Sequence, residues 1–277
     1  MKDVAARAGV GLKTVSRVVN GEAGVTPDTV RRVREAIEAL GFRRNDSARI
    51  LRKGRTASIG LVLEDLADPF YGPLSRAVEE AARAHGARTL LDATQSAGWL
   101  PLRAADYDYT VTGAFKWLLS PRGVSFLTVP AVCDELWPLY AGWAAGEVPW
   151  ESYYGVERLA PSAHRFDESP ATLPYLAAQH SLAVIEETGP AAIGAHDLAL
   201  ADRFRDGLAV LGHEPVASPG SAIVAVPGLG HAEDALTRAG VHVSVRAGNL
   251  RAAFHLYNTA ADVDRLLDVL STLPVRV

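Results

Sequence analysis

At 277 residues, 48% hydrophobic and 22% charged, the chain has the length for one large or two modest globular domains and falls outside the disordered class. Its one cysteine, Cys133, excludes a disulfide framework and fits a reducing cytoplasm, no apolar run approaches a membrane span, and the opening MKDVAARAG lacks a signal-peptide core. The net charge of −4 hides an asymmetry: residues 1–58 carry 13 Lys/Arg and 6 Asp/Glu, the remainder 15 and 26. A basic segment on an acidic body is the footprint of a small nucleic-acid module, although a solvated basic face would leave the same totals.

Asp3–Ala8 reads as a short amphipathic helix on Val4, Ala5 and Ala8. Gly9-Val10-Gly11 is expected to turn tightly through glycine's access to positive φ. Leu12–Asn20 reads as a second helix. On it Lys13, Ser16, Arg17 and Asn20 fall at i, i+3, i+4 and i+7 and share a polar face, with Val15, Val18 and Val19 opposite. Thr26-Pro27 opens a third helix with an N-cap and a proline at N1. Val30, Val33, Ile37 and Leu40 supply its apolar stripe, and Gly41 ends it. Helix, glycine turn and helix with a polar outer face is the helix-turn-helix plan, whose second helix enters the major groove.

The stretch KDVAARAGVGLKTVSRVVNGEAGVTPDTVRRVREAIEALGFRRNDSARILRKGRT, continuing to about His85, resembles the DNA-binding region of the LacI/GalR family. The resemblance implies double-stranded operator DNA as partner and a homodimer. It assigns base reading to Leu12 and Lys13, continued by Ser16 and Arg17, with Thr14 and Asn20 positioning the backbone. Ser47–Lys53 is similar to the family's hinge helix, which inserts a leucine into the minor groove; the matching residue is Leu51. Phosphate contact alone remains the alternative for Arg17, and packing as a linker leucine the alternative for Leu51.

Ile59–Asp92 reads as strand, helix, strand. Ile59–Leu63 suits a buried parallel strand, Pro73–Ala84 has helical apolar spacing, His85-Gly86 closes that helix, and Thr89–Leu91 begins a second buried run. IGLVLEDLADPFYGPLSRAVEEAARAHG resembles the first strand and helix of the LacI/GalR sugar-binding core. Beyond Gly86 that pattern stops, so no sugar or purine effector site of that kind is expected.

From about Ala81, three stretches resemble class V aminotransferases of the pyridoxal-phosphate (PLP) fold-type I superfamily: AHGARTLLDATQSAGWLPL, YDYTVTGAFKWLLSPRGVSFLTV and VHVSVRAGNLRAAFHLYNTAADVDRLLDVL. AGEVPWESYYG and HRFDESPATLPYLAAQHSL also fit. PLP needs an acid at its pyridine nitrogen to serve as an electron sink, and Asp92, at the end of an expected buried strand, suits that task. The resemblance gives Gln95 the ring oxygen, Lys116 the covalent (Schiff-base) attachment and Arg251 the substrate carboxylate. Singly, Asp92 would read as a strand-end cap, Lys116 as a surface lysine and Arg251 as a structural arginine. Gly113 stands where some relatives carry a phosphate-binding serine, with Thr112 beside it. Cys133 is not at the mobile-loop position of desulfurase cysteines and reads as buried structure. No metal ligands are expected.

The expected fold is an all-α three-helix helix-turn-helix head followed by a truncated α/β PLP-transferase-like body with a small C-terminal α/β domain. The expected boundaries are 1–55 for the head with its hinge helix, 56–180 for a partial large domain whose first βα unit is repressor-like, and 181–277 for the small domain. The class V resemblance covers the second half of such an enzyme, so the PLP site is expected to lack its phosphate-binding loop. Three functions stay open: a regulator head on an inactive body, a PLP-dependent enzyme taking an amino acid, and a chimera without function joined near residues 81–88.

Overall fold

In the computed structural model, which describes residues 1–40, 42, 60, 71–131, 133 and 136–273, the chain divides into two compact units, Met1–Val62 and Leu63–Val277. In the first, α1 (Lys2–Ala8), α2 (Leu12–Val19) and α3 (Pro27–Ala39) close on Val4, Ala5, Ala8, Val15, Val33 and Ala36. The helix α1 ends at Gly9 with φ 63°, a left-handed conformation that a residue without Cβ adopts unstrained. Gly11 does not share that need. Its φ of −71° is open to any residue, so only one glycine of the expected turn is required by conformation. Thr26 caps α3 by accepting the Thr29 amide at 3.4 Å, with proline in the first turn. The stripe of α3 runs through Val33 and Ala36. Leu40 lies past the last turn as the C-cap and is 41% exposed, so it does not extend the core. Gly41, the hinge segment Ser47–Lys53 with Leu51, and the expected strand Ile59–Leu63 apart from Gly60 lie outside the described residues.

In the second unit, α4 (Tyr71–Ala84) leads through Gly86 into β1 (Leu90–Asp92). That strand pairs parallel with β2 (Tyr109–Gly113), which pairs antiparallel with β3 (Ser125–Thr128). The sequence predicts β1 as buried, and it is not. Leu90 is 60% exposed and Asp92 is exposed. Among the described residues β1 pairs with β2 alone, so an apolar run suited to a covered strand sits at a sheet edge.

Two long helices follow, α5 (Thr172–Thr188) and α6 (Pro190–Val210). The second sheet has the order β4 (Ile223–Val226), β6 (Asn249–Ala253), β5 (Ser244–Arg246), antiparallel throughout. With α6, α7 (Glu233–Arg238) and α8 (Ala260–Ser271) it encloses a core that includes Phe204, Leu208, Val224, Leu236, Leu250, Val263 and Leu266. A separate cluster of Trp99, Trp117, Ile185, Ile193 and Ala222 joins the loops after β1 and β2 to α5, α6 and the start of β4. Cys133 is buried, and its carbonyl accepts from Arg165 Nη1 at 3.4 Å. Among the described residues no helix is long and apolar enough to cross a membrane.

Candidate functional site

Two regions hold the residues singled out above. Leu12, Lys13 and Arg17 on α2 are exposed, as is Asn20, the C-cap of a helix that ends one residue before the expected Asn20. Thr14 and Ser16 are half-buried, and Val15 is fully buried beneath them. Leu12 gives 48% of its surface to solvent at the first position of the helix. Asn20 Nδ2 donates to Ser16 Oγ at 3.3 Å and to Glu22 Oε1 at 3.1 Å, which orients the last turn of that face.

The second region follows from sheet topology. Because β1 and β2 run parallel, with Asp92 opposite Val111, the residues after both strands emerge at the same sheet end. Asp92 accepts the Thr94 amide at 2.9 Å. Thr94 Oγ1 in turn accepts the Gly113 amide at 3.0 Å, so one threonine ties the two strand ends together. Hydrogen bonds from the Thr94 side chain and backbone hold the Asp92 carboxyl below its ordinary range, and the Lys116 ammonium adds a smaller pull in the same direction. Gln95 Oε1 accepts the indole N–H of Trp117 at 3.1 Å, and its carbonyl accepts that of Trp99 at 2.9 Å.

Lys116 is half-buried in the turn after β2, its Nζ 5.8 Å from the Phe115 ring centre. That ring also carries the Arg122 guanidinium at 4.7 Å. Gly98 brings the first loop onto this turn: at φ 108°, a Cβ there would stand 2.6 Å from the Trp117 carbonyl oxygen. Asp92, Gln95 and Lys116 thus share one end of the first sheet.

Arg251 stands elsewhere, on β6 between Ala225 and Ser244. Burial lowers its pKa, helped by repulsion from Arg246, and among the described residues no carboxylate pairs with it. The turn after β6 places His255 against Trp117, and no hydrogen bond carries Arg251 itself to Lys116.

Thr94 and His255 escape sequence reasoning. A hydroxyl two residues after Asp92 signals a local turn; His255 gives no comparable cue. One further signal stood in plain view: Lys116 is the only lysine after residue 53. A groove of ≈ 480 Å³ lined by Asp202, Arg203, Asp206 and Asp264 lies between α6 and α8, away from all of these. Among the described residues no cluster of His, Cys, Asp and Glu could hold a metal.

Residues 72–266 match the family Aminotransferase class-V. The chain belongs to that family. The class-V match opens ahead of Ala81 and so takes in most of α4. Residues 1–45 match the lacI family of bacterial regulatory proteins. Catabolite control protein A of Priestia megaterium is 45% identical over 80 residues, covering 29% of this chain and 24% of that protein. The maltose regulon regulatory protein MalI of Escherichia coli K12 is 45% identical over 89 residues, covering 32% and 26%. The chain therefore spans about a quarter of the length of these curated relatives. Among solved structures, a complex of the cystine C-S lyase C-DES with cysteine persulfide aligns with TM-score 0.65 and 20% identity, over 98% of this chain and 84% of that one. The cysteine desulfurase CsdA of Escherichia coli aligns with TM-score 0.61 and 20% identity, over 71% and 54%. At that identity the likeness is one of fold: a helical N-terminal region followed by a PLP-transferase-like class-V body.

Proposed function

We propose that the chain is a sequence-specific DNA-binding regulator whose class-V body holds pyridoxal 5′-phosphate. The observation that carries this reading is the outer face of α2, where exposed Leu12, Lys13, Arg17 and Asn20 stand over a fully buried Val15. Leu12 and Lys13 would meet base edges, Ser16 and Arg17 would continue that contact, and Thr14 and Asn20 would fix the helix on the backbone. Leu51 would enter the minor groove of an operator bound by a homodimer. The lacI-type relatives support this role. The working division is a DNA-reading head at 1–55, a large-domain portion at 56–180 and a small α/β domain at 181–277. Selection from random duplexes by the full chain, followed by a gel shift in rising salt, tests it. Absence of salt-sensitive, sequence-selective binding would sink it.

For the body, Asp92 would hold the proton of the pyridine nitrogen, Gln95 would bond the ring oxygen, and the Lys116 amine would carry the covalent attachment. Bound PLP would supply an electron sink for amino-acid chemistry. The donor set fits the ring end: an acid kept ionised, an amide already oriented by Trp117, and a half-buried amine near the acid. None of the motifs assigns a holder for the phosphate, which puts holding or sensing PLP ahead of turnover. An absorbance titration with PLP, beside Lys116→Ala, is the test. A new band in the native chain that the variant lacks is expected; identical spectra would remove PLP from the reading.

Turnover of an amino acid is the second reading. The uncompensated, half-buried Arg251 favours it, since a substrate carboxylate would supply the missing charge. Loss of any measured turnover in Arg251→Ala, with Lys116 still able to take PLP, would support that role.

A further inference from the structure

His255 follows β6 and is 6% exposed. Its Nδ1 accepts the Leu256 amide at 2.8 Å, which leaves the proton of a neutral ring on Nε2. Burial lowers the imidazole pKa, against an opposing pull from the backbone of Lys116 and Trp117, so the neutral ring is the resting form. Nε2 is buried and faces the backbone of Lys116 and Trp117, without a partner at close hydrogen-bond geometry among the described residues.

The ring is instead the middle member of an aromatic pile. It stacks on Trp117 with centroids 4.9 Å apart and planes at 14°, and on Tyr257 at 4.7 Å and 14°. Both neighbours meet a flat face. The turn that carries it is itself tied down. The His255 amide donates to Asn258 Oδ1 at 3.0 Å, and His196 of α6 meets the Asn258 carbonyl at 3.0 Å. On the other side of the pile, Trp117 is chain neighbour to Lys116 and donates its indole N–H to Gln95. A residue of the second sheet's exit turn therefore abuts the ring that donates to Gln95 and that belongs to the residue after Lys116.

We propose that His255 is a positioning residue for the Lys116 site. Its flat ring, clamped between Trp117 and Tyr257, sets the indole plane, and the indole plane sets the direction of Gln95 and of the Lys116 turn. The proposal rests on the PLP reading of Lys116 for its consequence, while the hold on the indole stands apart from it.

The test compares His255→Phe with His255→Leu in the full chain. Both lose the ring nitrogens and both fill the space, but only phenylalanine is flat. PLP is added, the mixture is reduced with borohydride, and pyridoxyl mass on the Lys116 peptide is measured. The absence of any other lysine after residue 53 makes that peptide unambiguous. H255F is expected to trap within about twofold of the native chain and H255L about tenfold less, the upper range for a lost ring pair.

A second readout needs no cofactor. The Trp117 indole N–H signal in a ¹⁵N spectrum, assigned with Trp117→Phe, is expected to stay slow to exchange in H255F and to become fast in H255L. Equal trapping by the two variants, or equal exchange, overturns the proposal. If the native chain traps no PLP, the cofactor reading fails by itself and the indole comparison decides alone. A signal kept in H255F and lost in H255L upholds the positioning role; signals alike in both overturn it. If circular dichroism shows H255L unfolded, His255→Met takes its place with the same expected results.

Discussion

Asp197 is a carboxyl that α6 buries completely, and neither oxygen meets a hydrogen-bond partner among the described residues. Burial raises its pKa from 3.8 to about 7, against a weak opposing effect of His196. The unfolded chain thus releases this proton at lower pH than the folded one. Stability should fall as pH rises from about 4 to about 7 and stay low above that. Asp197→Asn should melt higher than the native chain at pH 8, by an upper bound of about 4 kcal/mol in stability, and the advantage should vanish near pH 4. Thermal melts at the two pH values check this; a pH-independent difference would contradict it. Arg17 is open to a different assay. Arg17→Ala should cost about 1–3 kcal/mol on a selected operator if the guanidinium reads a base. It should weaken all duplexes alike if it meets only phosphate. Residues of this sort differ in how far sequence exposes them. Helical spacing singles out Arg17, and a family resemblance singles out Asp92 and Lys116. Asp197 looks like any polar position in PAAIGAHDLALADRF, because only the tertiary packing of α6 decides that its face is buried.

At the scale of elements, helix boundaries were legible wherever a cap is written into the chain. Thr26-Pro27 opens α3, and Thr259 opens α8 through a reciprocal box: the Thr259 amide donates to Asp262 Oδ2 at 2.8 Å while the Thr259 hydroxyl caps the helix. Thr259→Ala should lower stability by about 1 kcal/mol, read as a lower midpoint in urea at unchanged slope. The strand β1 was legible as a strand and misleading as to burial. Apolar residues in a short run specify extended structure, but whether a neighbour covers them is a property of the sheet. For the same reason α3 shows its stripe and not how far its buried part extends, since Leu40 keeps the helical spacing after the core has run out.

Over the whole molecule, the charge asymmetry read from the sequence makes a quantitative demand. With 13 Lys/Arg among residues 1–58 and 26 Asp/Glu in the remainder, binding to duplex should weaken linearly in log salt. The slope should be about −0.9 per phosphate neutralised. A flat salt profile would mean that the basic segment does not contact backbone. Long-range contacts are where sequence reading stops. Trp117, His255 and Tyr257 pile together across well over a hundred residues of chain, and neither end contains a periodicity that announces the other. Thr94 joining two strand ends is equally silent, because its role exists only once β1 and β2 lie side by side.

Cys133 turns its burial into a clock. A thiol reagent cannot reach the only sulfhydryl of the chain while the body stays closed around it. Each labelling event therefore counts an opening, and in the limit of rapid reclosure the labelling rate gives the free energy of that opening. Added PLP, duplex DNA or a change of pH would each register as a faster or slower clock, so one native atom reports how tightly the body is held shut.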